Sequence, residues 1–517
     1  MRSFFGGLLG GKAGAKGALQ DLLDGLAGAE HRGGGVTDAV WEAVLNAKDL
    51  EDLVEESLPR EKLAALAASN PGNVVGLVER CVEAIEDVLN KEGDLDEQTE
   101  VVLANAAVVL TRALAAGPTG EGVSSPEHGV TKADGAEHQV LRLLWEPEPH
   151  RKGPPLGERC VNTVMRMLFL DGFTVDLATS AEDDKEDDEA KSKQELVNGV
   201  QPAAIWQEGV GPEGGAPEKS DEDVRLNRQM VLQLLLAILC GGAPASPPKV
   251  EDLLGSGDKK ERMAMALKIA SEASKPLVPD WRAMSYLCDA SRTVPFRGEL
   301  LYSLLSSALD YDPHGYGVPY AGYFAGAKEE EFVTLCLQVL GLLLQSGAGG
   351  DVARPSGPAA LHVRRPQENP NARGGAPLPS GEAHFFRSLL AGVSSEREVS
   401  FLVTGVLTLI GTVSEERSTY LPSSMRLPPF LVELLVLVFH LSACDAFVAA
   451  ACKEEEVSSL VEGILHVALQ AHEHVQEETV AMVAWGTVLR LTAYREVCGA
   501  LNEDFTGEVP DDLSDFG

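Results

Sequence analysis

Residues 295–345 decide the fold: PFRGELLYSLLSSALD (295–310), then YDPHGYGVPY (311–320), then EEEFVTLCLQVLGLLLQ (329–345). The first run sets Leu300, Leu301, Leu304, Leu305 and Leu309 at helical spacing, and the last does the same with Phe332, Leu335, Val339 and Leu343. The ten residues between them hold two Pro, two Gly and three Tyr, a composition that does not continue a helix. Pro313 and Pro319 fix φ and remove donors, Gly315 and Gly317 allow positive φ, and Tyr311, Tyr316 and Tyr320 can pack their rings while hydrogen-bonding exposed backbone. Tyr311, Asp312, Pro313, Gly315, Tyr316, Gly317, Pro319 and Tyr320 are therefore expected to form a rigid corner between helices. The alternative is that the same aromatic corner is a docking surface for a partner protein.

Outward from this corner the pattern repeats. Helical runs occupy Val36 to Ala115, with Asn70-Pro71-Gly72 as a stop and restart, then Cys160 to Leu170, Val224 to Cys240, Glu261 to Glu272 and Trp281 to Leu309. Four more follow: Glu382 to Gly392, Glu396 to Val413, Pro429 to Ala451 and Val457 to Leu491. No strand alternation and no βαβ rhythm interrupts them. Each helix pair has an apolar face that only a neighbouring pair can cover, which predicts an all-α, irregular α-solenoid of the armadillo or HEAT sort with long disordered loops. The expected organisation is a leader (1–30), a helical-repeat region (36–501) with mobile insertions near 117–135, 179–222 and 347–381, and an acidic tail (502–517).

Composition limits the functions available. The chain has 517 residues and a formal charge of -36, so nucleic acid is not an expected partner, because neutralising phosphates needs clustered Lys and Arg. Eight cysteines without a CxxC or a tight cluster suit buried thiols in a reducing compartment. No apolar run is long and uncharged enough to predict a transmembrane helix.

The amino terminus departs from the acidic trend, with Arg2, Lys12 and Lys16 and no acid before Asp21. Phe5, Leu8 and Leu9, then Leu19, Leu22, Leu23 and Leu26, fall at helical spacing, and Phe4 adds apolar bulk. Three readings fit: a disordered leader or misassigned start, a basic amphipathic membrane contact through Phe4, Phe5, Leu8, Leu9, Lys12 and Lys16, or an organelle-targeting peptide. Six glycines between Gly6 and Gly17 make any such helix marginal, each weakening it by about 1 kcal/mol relative to Ala.

Sequence motifs offer no reaction. GGLLGGKA (6–13) approaches a P-loop but has Ala13 where Ser or Thr would hold Mg²⁺, and no strand precedes it. GVGPEGG (209–215) contains GxGxxG, but Pro212 interrupts it and no helix follows. His472 and His474 point about 200° apart on a helix and cannot chelate together, which leaves His466, His472 and His474 as a solvated or partly packed face. Cys444 and Cys452 read as one helical face, and His314 in the corner lacks a convergent partner. Trp206 in IWQEGVG is expected to tuck onto the solenoid, and Asn227 and Arg228 to hydrogen-bond a neighbouring turn. No catalytic, cofactor-binding or metal-ligating residue is expected, and no small-molecule substrate.

The corner, together with VTDAVWEAVLNAKDLEDLV around Trp41, IWQEGVG (205–211), LNRQMVLQLLL (226–236) and TYLPSS followed by FLVELLVL (419–437), resembles the high-temperature-induced dauer-forming protein family, peripheral Golgi proteins related to dymeclin. The segments occur in the family's order and span most of the chain. The resemblance implies a non-enzymatic peripheral scaffold on the cytosolic face of the Golgi or trans-Golgi network, serving secretory cargo sorting and vesicle formation with protein partners of the trafficking machinery. Family members commonly begin Met-Gly and are myristoylated there, whereas Arg2 excludes that modification on this start. The family usually continues into a further helical region, so the last helices are expected to expose an uncapped apolar face. The competing expectation is a soluble armadillo-type adapter in the cytosol.

Overall fold

The structure is a computed structural model that describes residues 12–28, 36–48, 50–91, 95–115, 139–146, 153–175, 205–212, 222–240, 279–312, 326–345, 384–414, 430–453, 456–473 and 478–502. Among them it is all helical. In chain order the helices are α1 (Lys12–Ala27), α2 (Asp38–Leu45), α3 (Leu50–Ser57), α4 (Arg60–Ser69), α5 (Pro71–Leu89), α6 (Glu97–Leu114), α7 (Gln139–Trp145), α8 (Leu156–Met167), α9 (Glu222–Cys240) and α10 (Trp281–Cys288). They continue as α11 (Arg297–Leu309), α12 (Gly326–Leu344), α13 (Phe385–Ala391), α14 (Glu396–Ser414), α15 (Leu431–Leu441), α16 (Asp445–Lys453), α17 (Glu456–Glu473), α18 (Glu478–Leu491) and α19 (Arg495–Ala500).

Local chemistry sets many of the starts. Thr37 and Asp96 accept hydrogen bonds from the third following amide at α2 and α6, and Asp280 caps α10. Pro71 occupies the first turn of α5, where a missing N–H costs nothing.

Packing follows two ladders. α5, α8, α10 form one row that is resumed by α11, α14 and α17, while α6, α9, α12, α15 and α18 form a second continuous row. Rungs α5 with α6, α8 with α9, α11 with α12, α14 with α15 and α17 with α18 join the rows, so each pair covers its neighbour's apolar face. α1, α2 and α3 close the first end, and one hydrophobic core runs from Ala15 to Val497. This is the expected all-α solenoid.

Three expected runs are divided, that from Val457 to Leu491 into α17 and α18, which pack on each other. The run from Trp281 to Leu309 divides at Asp289–Phe296, where Pro295 cannot continue a helix and Phe296 is left-handed at φ 56°. The run from Pro429 to Ala451 divides at Ser442–Cys444 into α15 and α16, bent by 101°, so Cys444 and Cys452 do not share one helical face. No single described helix is long and apolar enough to cross a membrane. On α18, Met482, Trp485 and Leu489 are exposed, the last at 63%.

Arginines recur at helix ends. Arg60 Nε donates to Ala115 O (3.0 Å) at the end of α6, and Arg166 Nη2 to Leu89 O (2.8 Å) at the end of α5. Arg297 Nη1 donates to Leu287 O (3.2 Å) and Asp289 O (2.8 Å) beyond α10. Arg387 Nε donates to Leu344 O (2.7 Å) at the end of α12, and Arg490 Nη1 to Phe439 O (3.3 Å) at the end of α15. Each guanidinium satisfies carbonyls that a helix C-terminus leaves without partners, where the macrodipole favours positive charge.

Candidate functional site

The segments that distinguish this chain meet around Trp206. Residues 205–212 fall within the insertion expected to be mobile, yet Ile205, Trp206 and Val210 are buried, and the segment runs as an irregular, bent strap between α11 and α14. A buried segment outside any helix must find other partners for its amides, and here side chains supply them. Trp206 N donates to Ser303 Oγ (3.1 Å), Val210 N to Ser306 Oγ (2.9 Å) and Gly211 N to Glu398 Oε1 (2.8 Å), while Arg397 Nη2 donates to Gly211 O (3.0 Å). Two glycines permit the close approach. A Cβ on Gly209 would lie 2.7 Å from Ser306 Oγ and 2.8 Å from Phe401, and Gly211 sits at φ +110° against Tyr302.

The Trp206 ring closes the junction. Its Nε1 donates to Leu168 O (3.0 Å), its face stacks on Phe169 with centroids 5.7 Å apart, and Phe332 of α12 meets it at 6.1 Å. Arg228 of α9 lies over the ring at 5.3 Å and donates from Nε to Thr174 O (2.6 Å). Its neighbour Asn227 donates to Phe173 O (3.0 Å), so both polar residues hydrogen-bond the turn after α8. Burial lowers the Arg228 pKa to about 10, with Cys336 opposing the shift. Cys336 in turn is pushed up by burial, which makes it an inert thiol.

The corner begins beside this junction. Gln207 Nε2 donates to Asp310 Oδ2, and burial raises the Asp310 carboxyl against that hydrogen bond. Tyr311 donates to Glu330 Oε1 (3.3 Å) on α12 and meets Phe430, just before α15, edge to face at 5.6 Å. Asp312 is half-buried. Pro313, His314, Gly315, Tyr316, Gly317, Pro319 and Tyr320 lie outside the described residues.

At the amino terminus, Lys16 pairs with Glu56 of α3 at 2.5 Å, both exposed. Leu19, Leu22, Leu23 and Leu26, counted above in a membrane-facing stripe, are buried against α2 and α3. This part of the stripe is core. Lys12 opens α1; its side chain and Phe4, Phe5, Leu8 and Leu9 lie outside what is described.

Ser303, Ser306, Arg397 and Glu398 were not singled out by sequence. Their signal was polar residues at i and i+3 on a leucine-rich face in SLLSS, which a helix buries only when an outside group bonds them. Among the described residues no group of three or more His, Cys, Asp or Glu could hold a metal. His466 is buried in α17, and the side chains of His472 and His474 lie outside what is described. The arrangement binds four helices and a strap into one unit.

Comparison with known proteins agrees with that placement. The family model described as "Dymeclin: Dyggve-Melchior-Clausen syndrome protein" matches residues 36–517. Protein HID1 of Homo sapiens is 24% identical over 491 residues, covering 93% of this chain and 54% of the human protein. Protein HID1 of Mus musculus is 24% identical over 490 residues with the same coverage. The chain thus spans about half the length of these relatives. No solved structure matches it.

Proposed function

This chain belongs to the dymeclin family, and from that premise we propose that it is a non-enzymatic, peripheral scaffold on the cytosolic face of the Golgi or trans-Golgi network. In this reading it serves secretory cargo sorting and vesicle formation by recruiting protein partners of the trafficking machinery to the solenoid surface. The observation that supports it is the use made of the segments shared with the family. IWQEGVG, LNRQMVLQLLL, the start of the corner and Phe430 pack on one another around Trp206 and Tyr311, which joins neighbouring repeats. Stacked helix pairs joined in this way offer an extended surface of the kind that helical-repeat scaffolds use.

A soluble cytosolic adapter is the second reading, favoured by the burial of Leu19 to Leu26 in the core rather than on a free lipid-facing helix. Membrane fractionation and co-localisation with a Golgi marker separate the two. The comparison is the full chain against a truncation lacking residues 1–11, which leaves α1 intact. Golgi retention by both places recruitment on the solenoid, and retention by the full chain alone places it on the leader. A chain that stays diffuse in both forms overturns the Golgi reading and supports the adapter.

A further inference from the structure

α18 ends the second row of the solenoid, and its sequence suits a helix covered on every side. From Thr479 to Leu491 its one charged residue is Arg490, a pattern that belongs to a buried helix. α15 and α17 cover two sides of it. The remaining side carries Met482 (41% exposed), Trp485 (42%) and Leu489 (63%) at helical spacing. The first row is finished differently. There α19 packs on α16 and α17 and turns Arg495, Glu496 and Asn502 to solvent, the polar outer surface that a terminal repeat needs. The cap therefore covers one row and leaves the other bare.

The size of the bare face decides what can cover it. Met482, Trp485 and Leu489 leave on the order of 300 Å² in water, the scale of the largest apolar patches on soluble proteins. A stable contact between separate chains buries about 800 Å² on each, so a second copy seated on this face falls short. A tethered segment needs less, because its effective concentration is in the millimolar range. Residues 503–517, EDFTGEVPDDLSDFG, are such a segment. They lie outside the described residues and follow Asn502, which one turn and the six-residue α19 separate from the end of α18. Their reach of about 50 Å when extended is several times the length of the face. Phe505, Val509, Leu513 and Phe516 are their large apolar residues, and they carry six carboxylates with no Lys or Arg. Two cations flank the face. Arg490 is half-buried and gives one N–H to Phe439 O, Arg495 is exposed at the start of α19, and neither has an ion pair with a carboxylate among the described residues.

We propose that the apolar face of α18 is the docking site for residues 503–517 of the same chain. Phe505, Val509, Leu513 and Phe516 meet Met482, Trp485 and Leu489, and the carboxylates lie towards Arg490 and Arg495. The segment supplies the polar outer surface that α18 itself lacks. Because part of the attraction is between exposed charges, the cover loosens as ionic strength rises.

The test uses the purified full chain without membrane, so it does not depend on the Golgi reading. Photoreactive benzoylphenylalanine takes the place of the exposed Leu489, and cross-linked peptides are identified by mass spectrometry. The expected product joins position 489 to residues 503–517 of the same chain, at a yield unchanged by about a hundredfold dilution. Replacing Phe505, Leu513 and Phe516 together by Ser should lower that yield about tenfold or more. These three lie outside the helices described, so the packed core is untouched by their replacement. Arg490→Gln with Arg495→Gln should lower the yield at low salt and have little effect at high salt. Products that join two chains and disappear on dilution would place a second copy on the face and overturn the proposal. So would a position 489 that reaches nothing in 503–517, or a yield that the serine replacements leave unchanged.

Discussion

Replacing Trp206 tests whether the strap at 205–212 is part of the solenoid or only rests on it. The ring is 2% exposed, and a buried tryptophan removes on the order of 200 Å² of surface from water, worth about 5 kcal/mol at about 25 cal/mol per Å². Partial collapse of the site brings the expected cost of Trp206→Ala to about 3–5 kcal/mol. Trp206→Phe keeps most of the stacking on Phe169 but strands Leu168 O, for about 1–3 kcal/mol. A chain of this length does not unfold in one step, so the readout must be local. Native-state hydrogen exchange resolved on α8, α9 and α11 serves, with α1 to α4 as internal reference. In the alanine variant, α8, α9 and α11 should exchange faster by the stated free energy while α1 to α4 stay unchanged. Equal protection in all helices of that variant would refute the strap as a structural joint.

Ser303→Ala and Ser306→Ala should each leave a buried strap amide without an acceptor and cost about 1–3 kcal/mol, measured by native-state hydrogen exchange on α11. Gly209→Ala should cost about 1–3 kcal/mol in the same assay, because the new Cβ meets Ser306 and Phe401 at under 3 Å. For pH, His440 and His384 carry folded-state pKa values of about 3 and about 4 against an ordinary 6.5, so the unfolded chain binds more protons at mildly acidic pH. Their contribution is therefore complete above 6.5 and lost as the pH falls from there towards 4 and below. Protection of α15 against hydrogen exchange, corrected for the intrinsic pH dependence of exchange, should drop less steeply between neutral pH and about pH 4.5 in His440→Gln than in the wild type.

The solenoid was legible because leucine-rich periodicity is a local property of the chain. Val224 to Cys240 and Glu396 to Val413 were read within two residues of α9 and α14 at both ends. What escaped was set by contacts distant in sequence. Nothing near Ser303 says that its hydroxyl will receive the amide of Trp206, 97 residues away. Trp206 was expected to tuck onto the solenoid and does, but the partners of the IWQEGVG amides were not legible, since a short helix-poor segment flanked by acidic residues has the composition of a surface loop. The break between α15 and α16 escaped for another reason. Ser442, Ala443 and Cys444 are all tolerated in a helix, and the bend is imposed by the packing of α16 on α14 and α17.

The same long-range logic explains where an acidic chain keeps its arginines. With a formal charge of -36, guanidinium groups find ready carboxylates, as Arg80, Arg112 and Arg159 do, yet Arg60, Arg166, Arg387 and Arg490 each turn to main-chain carbonyls at the end of a helix from another part of the chain, and Arg297 to the end of the helix before its own. A surface ion pair contributes little because water screens it. A helix end held by a charged donor gains more, since the carbonyls are partly buried and the dipole adds to the attraction. In a solenoid this also carries positional information, because an arginine on one element that grips the end of another fixes how the two are staggered. Arg297→Met separates that role from simple charge. Its guanidinium serves Leu287 O and Asp289 O and lies 3.9 Å over Phe385, so the loss should reach about 2–3 kcal/mol and be felt in both α10 and α13 by hydrogen exchange. Arg142→Met, which removes an i,i+4 pair with Glu146 on the surface, should change exchange by less than about 0.5 kcal/mol. Equal effects of the two substitutions would show that the caps act only as surface charge.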